Sequence, residues 1–329
     1  MIKINPYSNV PLPLYAYFLK TYPAFFMTGK CLSYPRAIQI QTQSRCNAQC
    51  ALCPYRITSK VLAQGIMEGA LFLKICDELV SEKKPPMFMF ALHNEPLLDK
   101  RIFALVKHLK TQSPGTYCIL PTNAELLDTF SLREIKASGV SQLNINLSAH
   151  SREVYERTHN GLDYERVIAN INSLVSDEIL RQKVQIMFVQ NQENARELPE
   201  AVAYWKQKGV RTKVIPLNNR AGNLDTYAQL NLKESGYPGP RRLRTWKGLM
   251  ARTRRWLGCE LPFYQMDILF NGDVIICSCD WKRSIVVGNL KDSSLRAIWN
   301  SARMNEIRKL LLRKRYEQLL PCIDCSFVK

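Results

Sequence analysis

The stretch Ser44-Arg45-Cys46-Asn47-Ala48-Gln49-Cys50-Ala51-Leu52-Cys53 places three cysteines at positions i, i+4 and i+7 of one short segment. It follows the apolar, β-branched run at residues 37–42, so the three thiols are expected in the loop that leaves a first strand. Three thiolates from one loop hold one face of an iron–sulfur cubane and leave the fourth iron open. A structural zinc site is the alternative. It would want a fourth ligand, and no histidine or further cysteine lies close in sequence.

The same pattern of an apolar run, a polar turn and a helix-like stretch recurs along the chain. Strands are expected at 37–42, 87–92, 116–120, 142–147, 184–189 and 213–217, with helices at 68–83, 100–112, 132–138, 164–177 and 195–208. The fold class is α/β, a partial (β/α)6 TIM-like barrel. Active groups of such a barrel gather where the βα loops converge, at the C-terminal ends of the strands.

Beyond residue 217 the periodicity gives way to a basic, proline-containing linker, 218–258. There Arg241, Arg242, Arg244, Lys247, Arg252, Arg254 and Arg255 interleave with Trp246 and Trp256, a cluster able to attract an acidic peptide, a phosphorylated molecule or nucleic acid, or simply to be a solvated face. A small cluster-binding domain, 259–329, then reads as a β-hairpin turning at Asn271-Gly272 and a basic helix at 295–318. Its cysteines Cys259, Cys277, Cys322 and Cys325 follow the pattern Cys-x17-Cys-x44-Cys-x2-Cys. Four thiolates fill all four irons of a cubane, and the spacing also permits a four-cysteine zinc site. Cys279 reads as a ligand, a hydrogen-atom donor or a small buried thiol. Cys31, Cys76 and Cys118 read as core residues.

The chain has 329 residues, 46% of them hydrophobic, and a formal net charge of +18. That is enough for one barrel-sized domain and an appendage. Eleven cysteines without a secretion signal argue for metal binding in a reducing, cytoplasmic compartment and against a disulfide framework. The apolar stretch at 10–27 is interrupted by Pro11, Pro13, Lys20 and Pro23, so no membrane span is expected; residues 1–36 read as an N-terminal extension packed on the domain.

The three-cysteine loop resembles that of the radical SAM superfamily, and the C-terminal cysteines, with Gly272, Cys279-Asp280, Gly288-Asn289-Leu290 and Ile298-Trp299-Asn300, resemble the twitch domain, a single-cluster relative of the SPASM domain. The resemblance implies two 4Fe–4S clusters, one on Cys46, Cys50 and Cys53 and an auxiliary one on Cys259, Cys277, Cys322 and Cys325. It implies S-adenosylmethionine (AdoMet) on the open iron, cleaved reductively to a 5′-deoxyadenosyl radical that abstracts hydrogen from substrate, and a flavodoxin- or ferredoxin-type electron donor. His93-Asn94-Glu95-Pro96 stands where the family has Gly-Gly-Glu-Pro, whose acid and backbone bind the methionine amino group. Glu95 and Pro96 match; His93 and Asn94 depart from the two glycines. Thr122, Asn123, Asn146, Ser148 and Gln190 stand where polar ribose contacts are expected, and Leu217 where adenine packs. Asp280 and Glu260, each beside an auxiliary cysteine, are the candidate acid–base groups.

Enzymes of this kind act on peptides and proteins or on aminocyclitols and sugars. The leading expectation is modification of a ribosomally made peptide, with an acidic segment meeting the basic linker. No peptide-recognition domain fits into the 36 residues before the first strand, so a separate recognition protein is expected. Oxidation or epimerisation of a sugar or aminocyclitol is the alternative. A zinc-stabilised nucleic-acid-binding protein is a reading from another class, and it leaves the Cys46, Cys50 and Cys53 loop without purpose.

Overall fold

The computed structural model describes Phe25, Met27, Thr28, residues 31–80, Glu82, residues 85–232 and residues 259–328. The basic cluster at 241–255 lies outside the described residues. All six expected strands form: β1 (Ala37–Ile40), β2 (Met87–Met89), β3 (Cys118–Thr122), β4 (Gln142–Asn146), β5 (Val184–Gln190) and β6 (Arg211–Pro216). Each pairs in parallel with the next. The expected helices are α1 (Gly69–Val80), α2 (Ile102–Gln112), α3 (Leu132–Ala137), α5 (Tyr164–Ser176) and α7 (Leu198–Gln207); α4 (Arg152–Thr158) and α6 (Glu178–Lys183) join them. The strand expected from residue 116 starts at Cys118, because the Thr116 hydroxyl is held by Ser113 Oγ at 2.9 Å in the turn leaving α2.

Strand alternation sorts the core. Ile38, Ile40, Phe88, Leu120, Leu143, Ile145, Ile186 and Phe188 are buried under the helices. The opposite, concave face buries Ala37, Met87, Met89 and Ile119. By register that face also carries Gln142, Asn144 and Asp267. Its polar groups satisfy one another: Tyr117 Oη donates to Gln142 Oε1 at 3.0 Å, and Gln142 Nε2 donates to Asn144 Oδ1 at 2.6 Å.

The other edge of β1 pairs in parallel with β7 (Gln265–Ile268), so Ile38 lies between Phe88 and Met266. The hairpin expected at Asn271-Gly272 forms, with Gly272 at φ +93°, and leads antiparallel into β8 (Asp273–Ile275) and then β9 (Val286–Asn289). The hairpin therefore extends the barrel's own sheet, whose order is β6-β5-β4-β3-β2-β1-β7-β8-β9. The helix expected over 295–318 is divided into α8 (Leu295–Trp299) and α9 (Ala302–Leu312), followed by two short 3₁₀ turns. Ser301 causes the break: its hydroxyl accepts from Met304 N at 3.1 Å and starts a new helix.

Close contacts fasten this extension to the barrel. A Cβ on Gly65 would stand 2.2 Å from the Phe270 ring. Lys74 Nζ donates to Leu290 O at 2.6 Å, and Leu295 N donates to Glu78 Oε2 at 2.7 Å. The buried Arg308 guanidinium donates to Pro262 O and Trp299 O and lies 4.2 Å over the Trp299 ring. Phe25, from the N-terminal extension, packs edge-on against Phe263. Among the described residues, no helix is long and apolar enough to cross a membrane.

Candidate functional site

The three-cysteine loop leaves β1 and is held from three sides. Cys46 N donates to Tyr55 Oη at 2.8 Å. Gln49 N and Ala51 N donate to Asn160 O and Thr158 O, at the C-terminal end of α4. Glu95 N donates to Arg45 O at 2.9 Å, docking the β2 loop on the same segment. Gly161, at φ +89°, leaves room for the loop: a Cβ there would meet Asn47 O at 3.4 Å. Burial pushes the Cys46, Cys50 and Cys53 thiols above their ordinary range. They ionise readily only where a metal compensates the charge.

Glu95 is the centre of the polar network beside that loop. Its Oε1 accepts from Leu97 N at 3.0 Å and Thr122 Oγ1 at 2.7 Å, and its Oε2 from Asn123 N at 2.8 Å. Burial pushes its carboxyl up to about 7 against these hydrogen bonds. Asn123 Nδ2 donates to Asn47 Oδ1 at 2.9 Å, and Asn47 Nδ2 to Glu125 Oε2 at 2.6 Å, so the network runs straight into the cysteine loop. Neither Asn47 nor Glu125 stood out in the sequence, where each reads as an ordinary polar loop residue.

The other expected positions divide. Leu217 is buried with Leu224, Leu230 and Leu52, the residue just before Cys53, in an apolar patch. Ser148, at φ +49°, accepts from Val189 N at 3.0 Å and braces the β4 loop. Asn146 ends β4 exposed. Asn94 accepts from Leu92 N through Oδ1. Asn94 Nδ2, Gln190 Nε2, Thr42 Oγ1 and Tyr155 Oη are buried atoms without a hydrogen-bond partner among the described residues. Asn94, Gln190 and Thr42 stand at the C-terminal ends of β2, β5 and β1. Buried polar atoms are normally satisfied, so such a rim fits a polar ligand.

On the extension, Cys277, Cys322 and Cys325 are buried and Cys259 half-buried. Burial dominates the upward displacement of Cys259 and of Cys322, the latter to about 12. For Cys277 a hydrogen bond with Cys279 pulls down while burial pushes up, leaving it at about 11. Among the described residues no three His, Cys, Asp or Glu side chains converge on a single ion-sized centre. Ligands spread around a cubane have no need to do so. Asp280 Oδ1 accepts from Ser284 N and Oγ at 2.9 and 2.8 Å, and Oδ2 from Ile285 N at 2.9 Å, which locks the turn after Cys277. Glu260 is buried at the start of a 3₁₀ turn.

His93 joins the loop after β2 to the turn after Cys277. Its φ of +59° is a conformation that a glycine takes freely and that a histidine adopts only under constraint. Nε2 lies 2.8 Å from Ser278 O and therefore carries the proton, and burial lowers the imidazole to about 3, so the ring is neutral.

Three half-buried thiols on one loop, beside a buried carboxyl, are a donor set that suits a metal cluster and a cationic ligand. The chain belongs to the radical SAM superfamily, whose family model matches residues 40–204; a second model, the SPASM iron–sulfur cluster-binding domain, matches residues 259–326. The zinc-stabilised reading gives way to this assignment. A curated relative, the S-adenosyl-L-methionine-dependent 2-deoxy-scyllo-inosamine dehydrogenase of Niallia circulans, is 20% identical over 294 residues, 88% of this chain and 92% of the relative. The crystal structure of BtrN in complex with AdoMet and 2-DOIA shares the fold with a TM-score of 0.60 and 19% identity over 88% of this chain and 92% of that one. Streptococcus suis SuiB bound to precursor peptide SuiA superposes with a TM-score of 0.64 and 16% identity over 94% of this chain and 73% of that one.

Proposed function

We propose that this radical SAM enzyme oxidises a secondary alcohol of a small polyhydroxylated substrate, a sugar or aminocyclitol, to the ketone. One observation carries this reading: a single set of four ligand-spaced cysteines follows the barrel, in a chain that spans 92% of an aminocyclitol dehydrogenase. When bound, the clusters and AdoMet supply a 5′-deoxyadenosyl radical and an acceptor for one electron. Hydrogen abstraction from the carbinol carbon, loss of one electron and loss of the hydroxyl proton then give the ketone, 5′-deoxyadenosine and methionine.

In this reading Cys46, Cys50 and Cys53 hold the catalytic cluster, and Cys259, Cys277, Cys322 and Cys325 the auxiliary one. Glu95 takes the AdoMet amino group, Asn94 and Gln190 give their unpartnered amides to its polar groups, and Thr122 and Asn123 hold Glu95 in place. The Leu52 and Leu217 patch covers adenine. Glu260 stays a candidate acid–base group, and Asp280 supports the ligand turn. Asp267 is better suited to accept the hydroxyl proton: it is buried on the concave register, and burial raises its carboxyl to about 7.

A second reading, modification of a peptide, is favoured by the superposition on the SuiB complex. Reconstituted enzyme given reductant, AdoMet and 2-deoxy-scyllo-inosamine distinguishes the two. Ketone and 5′-deoxyadenosine in equal amounts support oxidation. Uncoupled 5′-deoxyadenosine with no product from this or related polyols returns the assignment to peptides.

A further inference from the structure

The chain turns sharply after β6. Arg220, Ala221 and Gly222 follow one another in the left-handed region, at φ +52°, +56° and +76°. Two of the three are not glycine, and such a run persists only where its surroundings hold it. The holding contacts reach both cysteine sites. On the catalytic side Thr226 Oγ1 donates at 2.5 Å to the carbonyl of Ala51, the residue after Cys50, while Asp225 pairs with Arg56 and Leu224 packs on Leu52. On the auxiliary side Asn219 grips the main chain around Cys325: its Nδ2 donates to Asp324 O at 2.5 Å and its Oδ1 accepts from Ser326 N at 3.0 Å. Ser326 Oγ accepts from Asn218 Nδ2 at 3.0 Å and from Asn219 N at 3.3 Å. Gly222 permits this close approach, since a Cβ there would stand 2.9 Å from Asp324 Cβ.

Asp324 O belongs to the peptide unit before Cys325 and Ser326 N to the one after it. Peptide units are planar, so an amide that holds both fixes the two soft dihedrals of the cysteine between them, and with these the direction of its Cα–Cβ bond. Groups that orient a metal ligand carry much of a site's affinity for its metal. We propose that Asn219 is a positioning residue for Cys325, aiming its thiolate at the auxiliary cluster. The same loop is fastened to the three-cysteine loop through Ala51, Arg56 and Leu52, so Asn219 also sets where that ligand stands relative to the catalytic cluster.

The inference rests on the auxiliary-ligand reading, and the two are tested apart. In a Cys46→Ala, Cys50→Ala, Cys53→Ala background one cluster remains, of about four irons per chain. Iron release to a ferrous chelator and the electron paramagnetic resonance spectrum of the reduced cluster are compared for this background and for Asn219→Ala, Asn219→Asp and Ser326→Ala made in it. Asn219→Asp keeps the size and the bond from Ser326 N but sets a carboxylate oxygen against Asp324 O, and it decides alone where Asn219→Ala fails to fold. Ser326→Ala removes the hydroxyl contacts of the same junction and leaves both peptide contacts of Asn219 in place. The expected result is iron release about tenfold to a hundredfold faster, with an altered spectrum, in both Asn219 variants, and release and spectrum like the background in Ser326→Ala. Unchanged release in the Asn219 variants would overturn the proposal, as would equal acceleration in Ser326→Ala, which would make the junction a packing contact without a directing role. A background protein that holds no iron at all would overturn the ligand reading itself, and the positioning role with it.

Discussion

The imidazole of His93 stacks on the indole of Trp281 with ring centroids 3.8 Å apart and 22° between planes. One ring belongs to the loop that carries Glu95 and the other to the turn that carries Cys277 and Cys279, so the stack ties the two cysteine sites together. Trp281 is 6% exposed. Replacing it by alanine should cost about 3 to 5 kcal/mol of stability, and by phenylalanine about 1 kcal/mol, since the ring stack survives. Denaturant unfolding of the reconstituted protein measures both. A Trp281→Ala protein as stable as the parent would make the stack incidental.

Glu95 governs AdoMet affinity in this account. Glu95→Gln removes a charged hydrogen bond to the amino group and should weaken binding roughly tenfold to a hundredfold in equilibrium titrations. With its carboxyl at about 7, parent affinity should rise as pH climbs through that value, because the ionised form binds the cation. The Gln variant should lose that dependence. A parent affinity that stays flat from pH 6 to 8 would detach Glu95 from the ligand.

Asp267 gives a signature in stability. Its folded value of about 7 lies above the ordinary 3.8, so the fold favours the protonated form. The stability this group contributes is fully present below about pH 4 and is lost as pH rises through 7. Asp267→Asn should therefore gain on the parent by roughly 4 kcal/mol between pH 4 and 8. Glu95 acts in the same direction. His93 and His159, lowered to about 3 and about 4 by burial, act oppositely as pH falls below 6.5. All three cancel in the comparison of variant with parent, which urea midpoints across pH would supply. A difference independent of pH would mean that Asp267 is ionised in the fold.

The parallel strands were legible because they are rich in apolar residues, as in Val184–Gln190, where Val184, Ile186, Met187 and Phe188 are buried. β9 was not: Val286–Asn289 is four residues long and ends in Gly288-Asn289, which reads as a turn. α4 escaped because Arg-Glu-Val-Tyr-Glu-Arg-Thr buries only Val154, Tyr155 and Thr158. The three-cysteine loop drew attention by its spacing, and the C-terminal set by its spacing together with the phrases around it. Of the supports of the three-cysteine loop, Asn47 lies within it and Tyr55 just after it, while Glu125 reaches Asn47 only because the loop after β3 folds back over the cysteines. His93 marked a departure from the family's glycine, but its reason lies 188 positions away, in Trp281.

The most direct test is anaerobic reconstitution with iron, sulfide and 5′-deoxyadenosine measured together, beside the Cys46→Ala, Cys50→Ala, Cys53→Ala variant. The parent should carry about eight irons per chain and cleave AdoMet, and the variant about four irons with cleavage abolished. Cleavage that survives loss of the three thiols, or a parent that makes no 5′-deoxyadenosine when reduced, would contradict it.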